Sequence, residues 1–260
     1  MGRPTTAASG VPSPETGSSA KPSPPTGPQT ESAASKAPKG KFHRRRLARS
    51  RRLFAFDRGL GSRYVAGADE AGRGCLAGPL VAAAVLIDYE RLSNSDRRAL
   101  AGLHDSKQMT EEKRLEMYPC VLRAAARASV VVRCAAGIDR RGLHVTNIEA
   151  LSLALERLSP PDEEAICLVD GFRLHACQVP HRRVVKGDAT SAAIAAASVI
   201  AKVTRDRYMR DVAPRHPGWG FDEHVGYSTP EHRQAIEEIG ISPLHRRSFQ
   251  SVAYSQLELG

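Results

Sequence analysis

Residues 64–86 read YVAGADEAGRGCLAGPLVAAAVL, two apolar runs separated by a polar, glycine-rich turn. Tyr64-Val65-Ala66 opens the first run, which reads as a buried strand and leads directly into two adjacent carboxylates, Asp69 and Glu70. A glycine-flanked arginine follows, Gly72-Arg73-Gly74, and then a second apolar run from Pro79 to Ile87. Carboxylates at the end of a core strand are costly to bury unless something cationic pairs with them. Successive strand residues point to opposite faces, so Asp69 and Glu70 share one ion only if the strand twists or turns there. The glycines permit such a turn and let a polymer backbone come close. One reading is a divalent metal beside a backbone-lined groove. The other is a strand that simply ends in a polar turn, and this stretch alone does not choose between them.

The surrounding 260 residues are enough to bury a substantial core and allow one or two domains. Cys75, Cys120, Cys134, Cys167 and Cys177 form no Cys-x-x-Cys pair, and several sit in apolar runs. That argues against a zinc site or a disulfide framework and fits a reducing cytosol. No apolar run reaches the roughly 18 residues that a membrane span needs, and the N-terminus lacks the hydrophobic core of a secretory signal. A cytoplasmic protein with no membrane partner is expected.

The net charge of +10 is unevenly spread: residues 1–52 hold 11 basic and 2 acidic residues, the other 208 hold 27 and 26. A cationic groove in the folded part must therefore come from local clustering. Residues 1–40 are rich in Pro, Ser, Thr, Ala and Gly, cannot offset their ordering entropy by burial, and are expected to be disordered. Lys41–Arg52, KFHRRRLARSRR, reads as a flexible arm for nucleic-acid phosphates, as a solvated linker, or as part of a transit peptide. The expected division is a disordered, then basic tail over 1–52 and a folded domain over 53–260.

Within that domain, Tyr89–Leu103 reads as a short helix and loop, and His104-Asp105-Ser106-Lys107 as a polar loop. Thr110 is a plausible N-cap with Glu111 and Glu112 in the first turn, and Pro119 should kink or end that helix. Val130–Ala136 reads as a strand, and the spacing of Ile148, Leu151, Leu155 and Leu158 predicts one long amphipathic helix over 138–158. Ala165–Val169 is another apolar strand, ending on Asp170-Gly171. Val179–Val185 follows, ending in Lys186-Gly187-Asp188, and a helix rich in small residues is expected over 189–210. Beyond Pro214 the chain is aromatic and His-rich, with a short helix predicted over 230–239. Strands alternating with helices predict an α/β layer fold.

Asp69, Glu70, Asp170 and Asp188 all fall at ends of predicted strands or where a strand passes to a helix, and such ends converge on one crevice in α/β sheets. Oxygen donors without His or Cys suit Mg²⁺ or Mn²⁺. Two such ions about 4 Å apart activate water and stabilise the leaving oxygen in phosphodiester cleavage. Taken singly, Asp188 reads as a helix N-cap and Asp170-Gly171 as a turn. Lys186, Lys202 and Arg205 form either a phosphate-contacting edge or a solvated face, and Asp206 pairs with a neighbouring base.

In combination the motifs say more. GADEAGRG, LVDG, KGD followed by AAASVIAKVTRDR, and HVGYSTPEH occur in this order, and the chain from about residue 63 to 250 resembles the ribonuclease HII family. The resemblance implies an RNase H-like fold: a five-stranded mixed sheet flanked by helices, with a C-terminal helical extension. It implies Mg²⁺- or Mn²⁺-dependent hydrolysis of RNA in RNA–DNA hybrids, with two ions when substrate is bound. It also implies incision 5′ of single ribonucleotides in duplex DNA, by a chain expected to act as a monomer. On it, Asp69, Glu70, Asp170 and Asp188 are the catalytic metal ligands, and Gly72-Arg73-Gly74 is the loop whose backbone reads the 2′-hydroxyl, the group that distinguishes RNA from DNA. Tyr227 packs at the RNA-to-DNA junction, and Asp105-Ser106-Lys107 resembles a family loop near the substrate, while Lys186 is a substrate contact only through the phosphate-contacting edge. Cys75 stands where the family often has proline. Val225 and Ser228 flank Gly226-Tyr227 where lysine and glycine are usual, departures that bear on junction preference rather than on the metal site. The alternatives are another RNase H-like nuclease, of the Holliday-junction resolvase or integrase type, and a hybrid-binding module without catalysis.

Overall fold

A computed structural model describes residues 39–160 and 165–249. The two apolar runs of the opening stretch form antiparallel neighbours, β1 (Tyr64–Ala71) and β2 (Leu80–Asp88), with Asp69 opposite Ala83 and Glu70 opposite Ala82. Strands β3 (Arg127–Arg133), β4 (Ala165–Asp170) and β5 (Arg182–Val184) complete a mixed sheet of order β3-β2-β1-β4-β5, in which β4 runs parallel to β1. Every residue of β2 is buried. That follows from its place inside the sheet with a helix layer on each side, and it explains the unbroken apolar run.

The period of two sorts these strands between the layers. Val81, Ala83, Val85 and Ile87 pack with Val65 against α6 (Ala192–Val212), whereas Leu80, Ala82, Ala84 and Leu86 pack with Ala66 and Ala68 against α5 (Leu143–Arg157). The small side chains expected over 192–198 let α6 lie close on the sheet. Helices α1 (Lys39–Gly59), α2 (Asn94–Ala99) and α3 (Glu111–Ala124) belong to the α6 side, α4 (Ala135–Arg141) to the α5 side, and α7 (Pro230–Ile239) to the C-terminal part. This is the RNase H-like α/β fold with its C-terminal helical extension. No described helix is long and apolar enough to cross a membrane.

Several expectations need correction. The boundary placed after residue 52 falls inside α1, so the described part of the basic run is helical rather than a flexible arm. Leu53 and Phe54 of α1 are buried, and Asp57 Oδ2 accepts hydrogen bonds from Tyr89 Oη (2.7 Å) and from Ala193 N (3.0 Å) at the start of α6. Residues 1–38 and 250–260 lie outside the described residues. Thr110 caps α3 as expected, but Pro119 does not end it. Pro119 faces solvent while Met117 and Val121 face the core, so water can satisfy the carbonyl that loses its bond. The third strand begins three residues earlier than expected, since Cys134 already caps α4. The single helix over 138–158 is two helices, broken at Gly142, whose φ of 82° only glycine adopts at ease. The strand expected over 179–185 shrinks to three residues. Asp188 is not the cap of α6. It lies in a 3₁₀ turn, Gly187–Ala189, and Ser191 caps the helix by accepting from Ile194 N (3.3 Å).

Candidate active site

Strand β1 delivers Asp69 and Glu70 to the same edge of the sheet but to opposite faces, because pairing continues through both residues without a turn. Asp69 lies on the α6 side, fully buried at 1% exposure, and its Oδ1 accepts from Glu70 N (2.7 Å). Its Oδ2 is buried without a hydrogen bond. The Ser198 hydroxyl of α6 stands near enough to favour the charged carboxylate, yet it is turned to Ser106 (Oγ–Oγ 2.7 Å) and leaves Oδ2 unsatisfied. Glu70 lies on the α5 side, near the buried Asn147. Neither Glu70 Oε2 nor the Asn147 amide atoms complete a hydrogen bond.

Asp170 joins the two. It follows the last β1–β4 pair, Ala68 with Val169, and its Oδ1 accepts from Gly187 N (2.6 Å) in the turn that holds Asp188. Its negative charge reaches all three other carboxylates. Burial, Glu70 and Asp170 hold the Asp69 carboxyl well above the usual carboxylate range. Burial and Asp170 push Glu70 up to about 7, partly offset by Arg73 and Lys107. Burial, Asp105 and Asp170 push Asp188 up to about 6. Lys107 Nζ lies 3.8 Å from Asp188 Oδ2. Four carboxylates thus share one field with too little positive charge to balance them. Two buried oxygens without partners and an all-oxygen donor set fit a hard divalent cation. Among the described residues, no three of these side chains close into a preformed metal cage, as expected of like charges with no cation between them.

A cleft of about 820 Å³ opens beside Glu70, walled by Gly72, Arg73, Gly74, Ser106, Lys107 and Tyr227. The structure therefore gathers seven of the expected site residues on one surface. Asp69, Asp170 and Asp188 are linked to it through the shared charge. Lys186, exposed and with φ of 52°, is not among the cleft residues.

Buried arginines fix the wall. Arg205 is fully buried and donates to the carbonyls of Pro79 (3.0 Å), Val225 (2.9 Å) and Ala77 (2.9 Å). It is a structural clamp, neither the phosphate-contacting edge nor the solvated face that the sequence left open for it. Gly72 lies against it with φ of 87°, and a Cβ there would fall 2.0 Å from Arg205 Nε, so only glycine fits. Arg246 bonds Gly78 O (3.0 Å) and Arg73 O (3.1 Å), while the Arg73 guanidinium lies over Phe172 at 4.7 Å.

Tyr227, 36% exposed, lies beneath Lys202 Nζ at 4.6 Å from its ring centre. Lys202 also pairs with Asp206 (2.8 Å), the partner expected for that acid. Val225 takes the turn at φ of 45°, an unusual position for a β-branched residue. Ser228 is not at positive φ, so serine fits the turn where glycine is usual.

Asn147, Ser198, Arg114 and Phe249 are site residues that were not expected. Asn147 left a trace in the sequence, as an amide on the apolar face that α5 shares with Ala150, Leu151 and Ala154. Arg114 left none. Its donation to Ser106 O (2.9 Å) is a tertiary contact.

A family model described as Ribonuclease HII matches residues 66–252. A ribonuclease HII of Geobacillus kaustophilus is 46% identical over 203 residues, covering 77% of this chain and 74% of the relative. One of Nocardia farcinica is 48% identical over 197 residues, covering 75% and 74%. Among solved structures, the ribonuclease H2 of Pyrococcus horikoshii superposes with a TM-score of 0.62 at 27% identity, covering 76% of this chain and all of that one. The chain belongs to the ribonuclease HII family and is an endonuclease of the RNase H class.

Proposed function

We propose that this enzyme is divalent-metal-dependent, hydrolyses RNA in RNA–DNA hybrids, and incises 5′ of single ribonucleotides embedded in duplex DNA. The observation that carries the reading is the pair of buried, unpartnered oxygens, Asp69 Oδ2 and Glu70 Oε2, placed with Asp170 in one negative field beside the open cleft. Asp69, Glu70, Asp170 and Asp188 would hold Mg²⁺ or Mn²⁺, two ions with substrate present, which supply water activation and charge stabilisation at the leaving oxygen. Hydrolysis adds water across the phosphodiester and breaks the P–O3′ bond, leaving a 3′-hydroxyl on the upstream DNA and a 5′-phosphate on the ribonucleotide.

The chain's own residues orient the substrate. The Gly72–Gly74 wall, held by Arg205 and Arg246, lets a sugar approach backbone, where a 2′-hydroxyl finds both donors and acceptors. Tyr227 offers a flat, partly exposed ring to the neighbouring nucleotide, and Lys107 places positive charge beside Asp188. The reading includes a cytoplasmic enzyme acting as a monomer in ribonucleotide removal.

The test is cleavage of a labelled duplex containing one ribonucleotide with Mg²⁺, with Mn²⁺ and with EDTA, alongside Asp69→Asn. One incision on the 5′ side, abolished by EDTA and reduced at least about 10³-fold in the variant, is expected. Wild-type rates in Asp69→Asn or in EDTA would sink the metal reading.

A further inference from the structure

Helices α1 and α2 enclose a second cavity, about 410 Å³, lined by Arg51, Arg58, Arg97 and Arg98 over an apolar floor that includes Leu47 and Phe54. No acidic residue lines it. Among the described residues none of these four guanidinium groups forms an ion pair, and Arg97 Nε is buried without a hydrogen bond. Asp57 does not serve them: its Oδ2 is engaged by Tyr89 and Ala193 N, and its Oδ1 is buried without a hydrogen bond. Arg51, Arg58 and Arg98 are exposed and Arg97 is half-buried. Elsewhere Arg205 is satisfied by carbonyls and Arg63 pairs with Asp88 at 3.0 Å, while Arg246 bonds two carbonyls through Nε and Nη1 and leaves Nη2 buried without a hydrogen bond. Four like charges round one hollow repel each other until an anion enters, and a fork of guanidinium donors suits phosphate oxygens.

The same helix reaches the catalytic cleft. Arg49 Nη1 donates to Gln108 Oε1 (2.8 Å), and Gln108 belongs to the short turn that carries Lys107, the neighbour of Asp188. Nine residues of helix separate Arg49 from Arg58, about 14 Å, which corresponds to roughly four base pairs of duplex at 3.4 Å per phosphate on one strand.

We infer that the α1–α2 cavity grips the phosphate backbone of the substrate duplex, beyond the segment held in the catalytic cleft. The inference rests on the nuclease reading for the identity of the duplex. A catalytic cleft alone holds only the few nucleotides around the cut. The arginine cavity lengthens the footprint without adding sequence preference, because phosphates carry none.

The test uses the full chain and the double variant R51Q/R98Q, whose two side chains are exposed and anchor nothing else in the fold. Substrates carry one ribonucleotide in a duplex of about 30 base pairs, or in a hairpin-capped duplex with about three base pairs on either side. The variant is expected to raise KM about 3- to 10-fold on the long substrate, leave KM on the short one within about 2-fold, and keep kcat. Its slope of log affinity against log salt should be shallower by about 1.8 for two lost phosphate contacts. R51K/R98K, which keeps the charge, should recover most of the affinity.

An equal loss on both lengths, no loss at all, or failure of the lysine pair to rescue a folded protein would overturn the inference. Inorganic phosphate bound by wild type and lost in R51Q/R98Q, with long-duplex affinity unchanged, would make the cavity a free-anion site and overturn it as well. Anisotropy with an uncleavable all-DNA duplex of about 30 base pairs in EDTA reads the grip without chemistry, so a failed cleavage assay does not decide it.

Discussion

Burial and the neighbouring Asp170 push the Glu70 carboxyl up to about 7, and this has a measurable consequence for the metal-free protein. An acid whose folded pKa lies above its unfolded value holds a proton that the unfolded chain has already released. Stability is therefore fullest below the ordinary carboxylate pKa and falls as pH rises to the folded value. For Glu70 and Asp188 the window runs from about 4 to about 7. His232 and His245 act in the opposite sense over part of it, because burial pushes both down to about 4. The carboxylate contribution is therefore read as a difference. Between pH 5 and 7.5 in EDTA, wild type should lose thermal stability relative to Glu70→Gln, and saturating Mg²⁺ should remove that difference by compensating the ionised form. Parallel melting curves for the two proteins across this range would mean that Glu70 titrates normally.

At the scale of elements, α7 is the support of Tyr227. Ser242 N donates to His245 Nδ1 (2.8 Å), which leaves the His245 proton on Nε2, 3.1 Å from His232 Nε2. His232 then carries its own proton on Nδ1 and donates it to Tyr227 O at 2.8 Å. A neutral, buried chain thus ends on the backbone of Tyr227 in the cleft wall. His232→Ala should raise KM on the single-ribonucleotide duplex about 5- to 10-fold, the worth of roughly one buried hydrogen bond, with a smaller change on long hybrids. His232→Asn keeps a donor near the Nδ1 position and should recover most of the loss. Equal losses on both substrates would mark His232 as a packing residue only.

The sequence foretold α7 to the residue, since Thr229 caps it and Pro230 opens it. The acids stood out because they fall at strand ends, a signal that is not specific by itself, since Asp88 also ends an apolar strand and pairs with Arg63. Arg205 was misread because a charge on a helix implies solvent, and the carbonyls that bury it come from distant loops. The apolar spacing of residues 138–158 was real on both sides of Gly142, but spacing records which face is buried, not whether the axis is continuous.

For the whole molecule, the decisive question is where the folded body begins. Composition placed the boundary after residue 52, because a run rich in arginine lacks apolar residues for a core. Structure places helix across that point: Ser50 is buried and its hydroxyl donates to Leu100 O (3.0 Å), Arg49 reaches Gln108, and Leu47 lines the arginine cavity. Two truncations separate these views. A chain starting at residue 39 should melt within about 1 °C of the full protein. A chain starting at residue 53 loses the Ser50 bond and Leu47 packing and begins its helix at the buried Leu53, with a cost of about 1–3 kcal/mol. In a domain of this size that lowers Tm by about 3–10 °C. Differential scanning calorimetry in EDTA checks both. If the second truncation melted with the first, residues 39–52 would contribute nothing to the fold, and the arginines they bring to the α1–α2 cavity would have to be held in place by the nucleic acid itself.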